Sequence, residues 1–406
     1  MSDFLKAVKV TDKIYWVGVI DWNLRNFHGY TTEFGSTYNA FLVVDEKITL
    51  IDTVKAPFFD EMVARIASVV DPEKIDYIVS NHSEMDHSGS LARAIELMKP
   101  EKVFASPMGE KALKLHFGDL GVTPVKTGDS IKLGESTLHF VETKMLHWPD
   151  SMVTYVDTEK LLFTQDAFGM HLAGSGRWYT DYDHYVLDSE ARKYFANILL
   201  PYSAKILELL DSLPSLGLDV EIFAPDHGPM WRGEGIEYIL GLYRECAEQK
   251  PKKRAVVIYD TMWHSTETMA KSVVDGLLCG GLEVDQVCLG ESPRSVAITK
   301  VLDAGVVVVG SPTLNNNLYP KVADFLTYMR GLKPQNLIGG AFGAYGWSGE
   351  ATAQIGEYLT QIGVKQPFAP VKARYVPDQS ELEACWKLGY DLAIELSNTI
   401  NNGGEK

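Results

Sequence analysis

Ser80-Asn81-His82-Ser83-Glu84-Met85-Asp86-His87-Ser88 follows an apolar run, Tyr77–Val79, that reads as a strand. The stretch places four candidate metal donors within six residues, His82, Glu84, Asp86 and His87. A capped polar loop needs no such density, whereas two metals sharing one compact loop do. His82 and Glu84 alternate to one side, and Asp86 and His87 turn to the other. Further donors stand at the ends of later apolar runs. His147 lies in Met145-Leu146-His147-Trp148-Pro149-Asp150, Asp166 follows Leu161-Leu162-Phe163-Thr164, and His227 follows Glu221-Ile222-Phe223-Ala224-Pro225-Asp226. Around them, a hairpin is expected at Tyr38–Val44 and Lys47–Asp52. Short strands are expected near Val103–Ala105, Thr137–Phe140, Val153–Val156 and Leu161–Phe163, with helices near Pro57–Val70, Ser90–Met98 and Met108–Phe117. This is an α+β pattern with His and Asp at strand ends.

The sulfur inventory narrows the donor chemistry. The four cysteines are Cys246, Cys279, Cys288 and Cys385, and no two form a CxxC pair. A disulfide framework, a zinc ribbon and an iron–sulfur or rubredoxin module are excluded within this sequence. Any metal held by the first 245 residues must use imidazoles and carboxylates.

Charge and hydropathy exclude other classes. The 406 residues carry a formal net charge of −16, without a Lys/Arg run that would face nucleic acid. The one basic cluster, Lys250, Lys252, Lys253 and Arg254, sits at an expected linker. No apolar run reaches bilayer-spanning length, and the N-terminal residues lack the basic-then-apolar layout of a signal peptide. The expectation is a soluble, cytoplasmic chain that binds neither nucleic acid nor membrane.

Beyond the helical stretch Gly235–Gln249, the joint Lys250-Pro251-Lys252-Lys253 opens a second part with its own rhythm. Apolar strands at Ala255–Tyr259, Glu283–Cys288, Gly305–Gly310 and Leu337–Gly343 alternate with helices near Thr266–Cys279, Ser295–Asp303, Tyr319–Gly331 and Thr352–Ile362. Glu381–Thr399 reads as a closing helix. Alternation of this kind specifies a doubly wound parallel sheet, an α/β class. Its ligand edge carries three loops. Thr261, Met262, Trp263, His264, Ser265 and Thr266 open a helix with hydroxyls suited to a phosphate monoester, and no glycine–lysine pattern of a nucleoside-triphosphate loop is present. Pro312, Thr313, Leu314 and Asn315 follow the third strand. Ala344, Tyr345, Gly346, Trp347 and Gly349 follow the fourth. Trp263, Tyr345 and Trp347 are placed to flank an isoalloxazine ring. The pattern resembles flavodoxin, which implies FMN.

The ordered donor series resembles the metallo-β-lactamase superfamily, an H-x-[H/E]-x-D-H motif followed by His, a bridging Asp and His. Most hydrolases of that superfamily carry His at the third motif position and bind zinc. Glu84 stands there in this chain, making the pocket harder and more anionic, which favours iron. That variant, ahead of a flavodoxin-like half, resembles the flavodiiron proteins, also called A-type flavoproteins. The resemblance spans essentially the whole chain. It implies an N-terminal metallo-β-lactamase-like αββα sandwich over residues 1–250, followed by a flavodoxin-like FMN domain over 254–400. It implies that His82, Glu84 and His147 hold one non-haem iron, that Asp86, His87 and His227 hold the other, and that Asp166 bridges. His28 and His171 resemble family positions beside the diiron pocket, where they would orient ligands or donate protons. The implied activity is reduction of O2 to water, of NO to N2O, or both. Electrons would be relayed through FMN from an external donor, rubredoxin first and a reduced deazaflavin second. The implied assembly is a head-to-tail homodimer or a dimer of such dimers. A zinc hydrolase with an accessory flavin domain and a simple FMN electron carrier are the competing classes.

Overall fold

A computed structural model describes residues 4–403. The chain divides into two compact units. The first contains the residues up to Phe27 together with Thr32–Tyr194 and Tyr202–Arg244; the second contains His28–Thr31, Phe195–Pro201 and the chain from Glu245 onward. Two short excursions of the front half therefore group with the back half.

In the first unit, seven strands lie side by side in chain order: β1 (Val8–Lys9), β2 (Ile14–Trp16), β3 (Phe41–Val43), β4 (Thr49–Ile51), β5 (Tyr77–Ser80), β6 (Lys102–Ala105) and β7 (Val122–Pro124). The sheet is antiparallel from β1 to β4 and parallel from β4 to β7. The parallel crossovers run through helices α1 (Phe59–Ala67), α2 (Leu91–Met98) and α3 (Pro107–Phe117). Ser106 starts α3 by accepting the Gly109 N–H at 3.0 Å, with Pro107 at the first helical position. A six-stranded sheet follows, again in chain order: β8 (Ser130–Lys132), β9 (Thr137–Glu142), β10 (Met152–Val156), β11 (Leu161–Gln165), β12 (Ile222–Pro225) and β13 (Trp231–Arg232). Only β11 and β12 are parallel there, joined through α4 (His184–Tyr194) and α5 (Ser203–Ser212); α6 (Glu234–Glu248) follows β13.

Side-chain alternation explains the layering. Phe41, Val43, Ile51, Val79 and Phe104 of the first sheet share a core with Leu138, Phe140, Met152, Phe163 and Ala224 of the second. Their neighbours Leu42, Leu50, Ile78 and Val103 point the other way, onto Met62, Ile66, Leu91 and Leu113 of the helices. On the far side of the second sheet Phe223 stacks on Phe168, which meets Tyr243 of α6. The layers are helix, sheet, sheet, helix, the αββα sandwich expected from the sequence.

The second unit carries a five-stranded parallel sheet of β14 (Arg254–Tyr259), β15 (Glu283–Cys288), β16 (Val306–Gly310), β17 (Ile338–Tyr345) and β18 (Val371–Arg374), ordered β15-β14-β16-β17-β18. Its helices are α7 (Ser265–Cys279), α8 (Arg294–Leu302), α9 (Pro320–Leu332), α10 (Ala351–Ile362) and α11 (Gln379–Gly403). Val306–Val309 are fully buried, as a central strand covered on both faces requires. The edge strand β18 is an element the sequence did not announce, because of Val371-Lys372-Ala373-Arg374 only Ala373 is fully buried. Among the described residues, no helix is long and apolar enough to cross a membrane.

Candidate metal centre and ligand cavity

The donor loop leaves the C-terminal end of β5, and its base is fixed to both sheets. Asn81 donates its backbone N–H and its side-chain amide to the Asp52 carboxylate at 2.7 Å each, and accepts from Thr154 of β10 at 2.7 Å. Past Glu84 the backbone closes one helical turn, Met85–Ser88, which presents Asp86 and His87. His147 comes from the β9–β10 loop, while Asp166 and His227 follow β11 and β12. Gln165 takes a φ of 57° and donates its side-chain amide to the Asp166 carboxylate.

Two donor groups result. His82, Glu84, His147 and Asp166 form one; Asp86, His87 and His227 form the other; all seven residues are buried. His147 Nε2 lies 3.2 Å from Glu84 Oε2 and 3.2 Å from Asp166 Oδ2, and His82 Nε2 lies 3.3 Å from Glu84 Oε2. The other Asp166 oxygen, Oδ1, lies 3.2 Å from His87 Nε2 and 3.4 Å from His227 Nε2. His227 Nε2 is 3.3 Å from Asp86 Oδ2. Donors bound at about 2.1 Å around one ion stand about 3–3.4 Å apart, so these spacings are those of two ion sites sharing Asp166.

The electrostatics fit the same occupant. Both Asp86 oxygens and both His87 ring nitrogens are buried without a hydrogen-bond partner among the described residues. A buried carboxylate in that state demands a cation. Burial opposes protonation of His82, yet hydrogen bonds to Asp150 and Glu84 outweigh it and push the imidazole up to about 10. Burial likewise opposes protonation of His147, and Asp166 and Glu84 push it up to about 9. Burial raises Asp166, but the His87 and His147 charges hold its carboxyl well below the usual range. Left to itself the pocket collects protons to balance its carboxylates, and metal ions would take their place. The mixed oxygen and nitrogen donors, free of sulfur, suit a pair of non-haem irons.

His171 is fully buried, with its ring 4.5 Å from that of His227 and 5.3 Å from Tyr194. Burial and the adjacent His227 hold it well below the ordinary histidine range, so it is neutral at pH 7. His28 is exposed, has a φ of 52° and belongs to the second unit; it is not among the clustered donors. Three neighbours of the donors support them without belonging to the donor series read from the sequence. Asp150 accepts from His82, Gln165 reaches Asp166, and Ser36 Oγ lies 2.8 Å from His171 Nδ1. Only Asp150 had a cue, its place three residues after His147.

In the second unit, a cavity of about 420 Å³ opens at the carboxyl ends of β14, β16 and β17. Of the fifteen residues anticipated from the sequence, thirteen line it. The two others are His264, whose ring meets Glu267 at 2.8 Å, and Gly349, which packs beneath the Tyr345 ring. Tyr375 and Val376, just past the unannounced β18, complete the wall together with Asn316 and Ser348. Thr261 Oγ1 and Thr266 Oγ1, beside the start of α7, are buried with no hydrogen-bond partner among the described residues. Hydroxyls without partners at the start of a fifteen-residue helix fit a phosphate monoester, and the exposed faces of Trp263 and Trp347 at the rim fit a flavin ring. The cofactor these loops fit is FMN.

The chain matches the ODP family beta lactamase over residues 37–228 and flavodoxin over residues 257–389. It is 45% identical to the rubredoxin-oxygen oxidoreductase of Megalodesulfovibrio gigas, covering 97% of this chain and 98% of the relative. It is 43% identical to the nitric oxide reductase of Moorella thermoacetica, covering 97% of this chain and 100% of the relative. The solved structure of the flavodiiron protein from Giardia intestinalis superimposes with a TM-score of 0.94 at 32% identity, covering 99% of each chain. With both halves matched in order and the donor set assembled around Asp166, this chain belongs to the flavodiiron protein family.

Proposed function

We propose that this flavodiiron oxidoreductase reduces O2 to water, NO to N2O, or both, with electrons relayed through FMN to a pair of irons. The observation that carries the reading is the split of the Asp166 carboxylate, one oxygen toward His147 and the other toward His87, each at 3.2 Å. When bound, the irons supply open positions and one-electron steps, and FMN accepts electrons in pairs and passes them on singly.

The chain's own residues do the remaining work. His82, Glu84 and His147 would hold one iron, Asp86, His87 and His227 would hold the other, and Asp166 would serve both. Glu84 in place of an imidazole supports iron over zinc, and with it reduction over hydrolysis. Thr37 O accepts His227 Nδ1–H at 2.6 Å, which keeps the Nε2 lone pair facing Asp86 and Asp166. His171 fills the space beside His227, and its neutral ring adds no charge there. The four cysteines all belong to the second unit, so no thiol shares the unit in which oxidant is consumed.

The diiron domain spans residues 1–250 and the FMN domain 254–400. Because the donor set and the flavin cavity belong to different units, the working assembly is a head-to-tail homodimer or a dimer of dimers, in which the flavin of one copy faces the donor set of the other. Rubredoxin is the external donor, a reduced deazaflavin the alternative, and the compartment is the cytoplasm.

The deciding experiment is an anaerobic steady-state assay of the iron-loaded, FMN-loaded protein with reduced rubredoxin and each gas in turn. Consumption of O2 or NO, lost by at least about a hundredfold in Asp166→Ala, is expected. Full consumption in that variant overturns the reading, as does zinc in both sites of metal-controlled protein.

A further inference from the structure

We infer that Asp150 is a positioning residue for one of the two metal sites, clamping the loops that carry His82 and His147 into a single frame. The inference rests on the diiron reading above and assigns a role to a residue outside the donor set.

Asp150 is 3% exposed and its contacts run in three directions. One carboxylate oxygen, Oδ2, accepts His82 Nδ1–H at 3.1 Å and the Ser83 backbone N–H at 2.6 Å. Its backbone carbonyl accepts from Ser106 Oγ at 2.7 Å, and Ser106 is the residue that caps α3. The carboxylate therefore fixes the ring and the backbone of the β5 donor loop. The residue itself is anchored to α3 and belongs to the β9–β10 loop, three positions after His147. With its Nδ1 proton committed to Asp150, His82 presents an Nε2 lone pair toward Glu84 and Asp166, and the anionic acceptor makes that nitrogen a stronger donor.

Among the described residues, the second group has no equivalent clamp. His227 gives its Nδ1 proton to a neutral backbone carbonyl, and His87 Nδ1 stands 3.5 Å from Asp226 without a hydrogen bond. Carboxylate support at His82 alone makes the two sites unequal. The His82–Glu84–His147 site is the tighter one, and Asp150 is the reason.

The test measures iron release, not turnover. Holoprotein of wild type, Asp150→Asn and Asp150→Ala is mixed with a chelator, and iron content is followed over time alongside FMN content and the Mössbauer spectrum. Wild type is expected to lose its irons in two phases. Asp150→Ala should speed the slow phase by about 10- to 100-fold and leave the fast phase and the FMN content unchanged. Asp150→Asn, which keeps an oxygen acceptor but not its charge, should fall between. Unchanged slow phases in both variants overturn the inference, and so does equal acceleration of both phases, which would mark a general loss of structure. Wild-type protein that never holds two irons sinks the diiron reading instead.

Discussion

His171 and His227 lie with ring centroids 4.5 Å apart, and Ser36 Oγ stands 2.8 Å from Nδ1 of the first and 3.4 Å from Nδ1 of the second. Ser36 Oγ donates to Thr37 O at 3.0 Å, so its lone pair is what remains for the His171 Nδ1 proton. The hydroxyl thus sets the tautomer of one imidazole and, through ring contact, the attitude of the other. Ser36→Ala removes that acceptor. Iron held by Asp86, His87 and His227 should then be bound about tenfold more weakly, with the other iron retained. Iron content per chain across a chelator titration checks this.

Glu84→His restores the imidazole common among zinc hydrolases. The pocket loses a charge and gains a softer donor, so the share of zinc should rise at the expense of iron. Gas consumption should fall in parallel. Elemental analysis of protein grown with iron and zinc at equal concentration gives the ratio directly, and a ratio equal to that of wild type would remove Glu84 from the selection of metal.

Thr266→Val keeps the side chain's shape and removes a buried hydroxyl in the first turn of α7. A hydrogen bond to a charged phosphate contributes about 1.5–3 kcal/mol, so FMN should bind roughly ten- to a hundredfold more weakly. The iron pair should be unaffected. Flavin fluorescence recovered on dilution measures the loss.

Glu190 offers a pH-dependent stability term away from both sites. Burial pushes its carboxyl up to about 7, against the attraction of Lys193 and with the help of Glu33. The unfolded value is 4.5, so the folded chain binds this proton more tightly. The stability it contributes is full below about pH 4.5 and is lost as pH rises through 7, up to roughly 3 kcal/mol in all. Glu190→Gln stays neutral throughout. Its urea midpoint relative to wild type should therefore rise between pH 5 and pH 8, and a constant difference would count against the assignment.

The donor series was legible because it is local: four of the seven residues fall within one loop, and the others each follow a strong apolar strand. The three flavin loops were legible for the same reason, each lying between a buried strand and an amphipathic helix. What escaped was long-range. Ser36 meets His171 across 135 residues and Asp150 meets His82 across 68, distances over which no periodicity carries information. Tyr375 and Val376 escaped because β18, at the sheet edge, has too little apolar pattern to stand out. The excursions His28–Thr31 and Phe195–Pro201, which group with the second unit, escaped because a linker signal marks only where the chain changes domain once.

The seven donors come from strands of two different sheets: His82 to His87 leave the first, and His147, Asp166 and His227 belong to the second. A ribosome that has extruded the chain only through Ser88 has made four ligands and no cage. All seven donors can hold iron only once both sheets are in place, so closing the sandwich and taking up the metal pair are coupled steps of maturation.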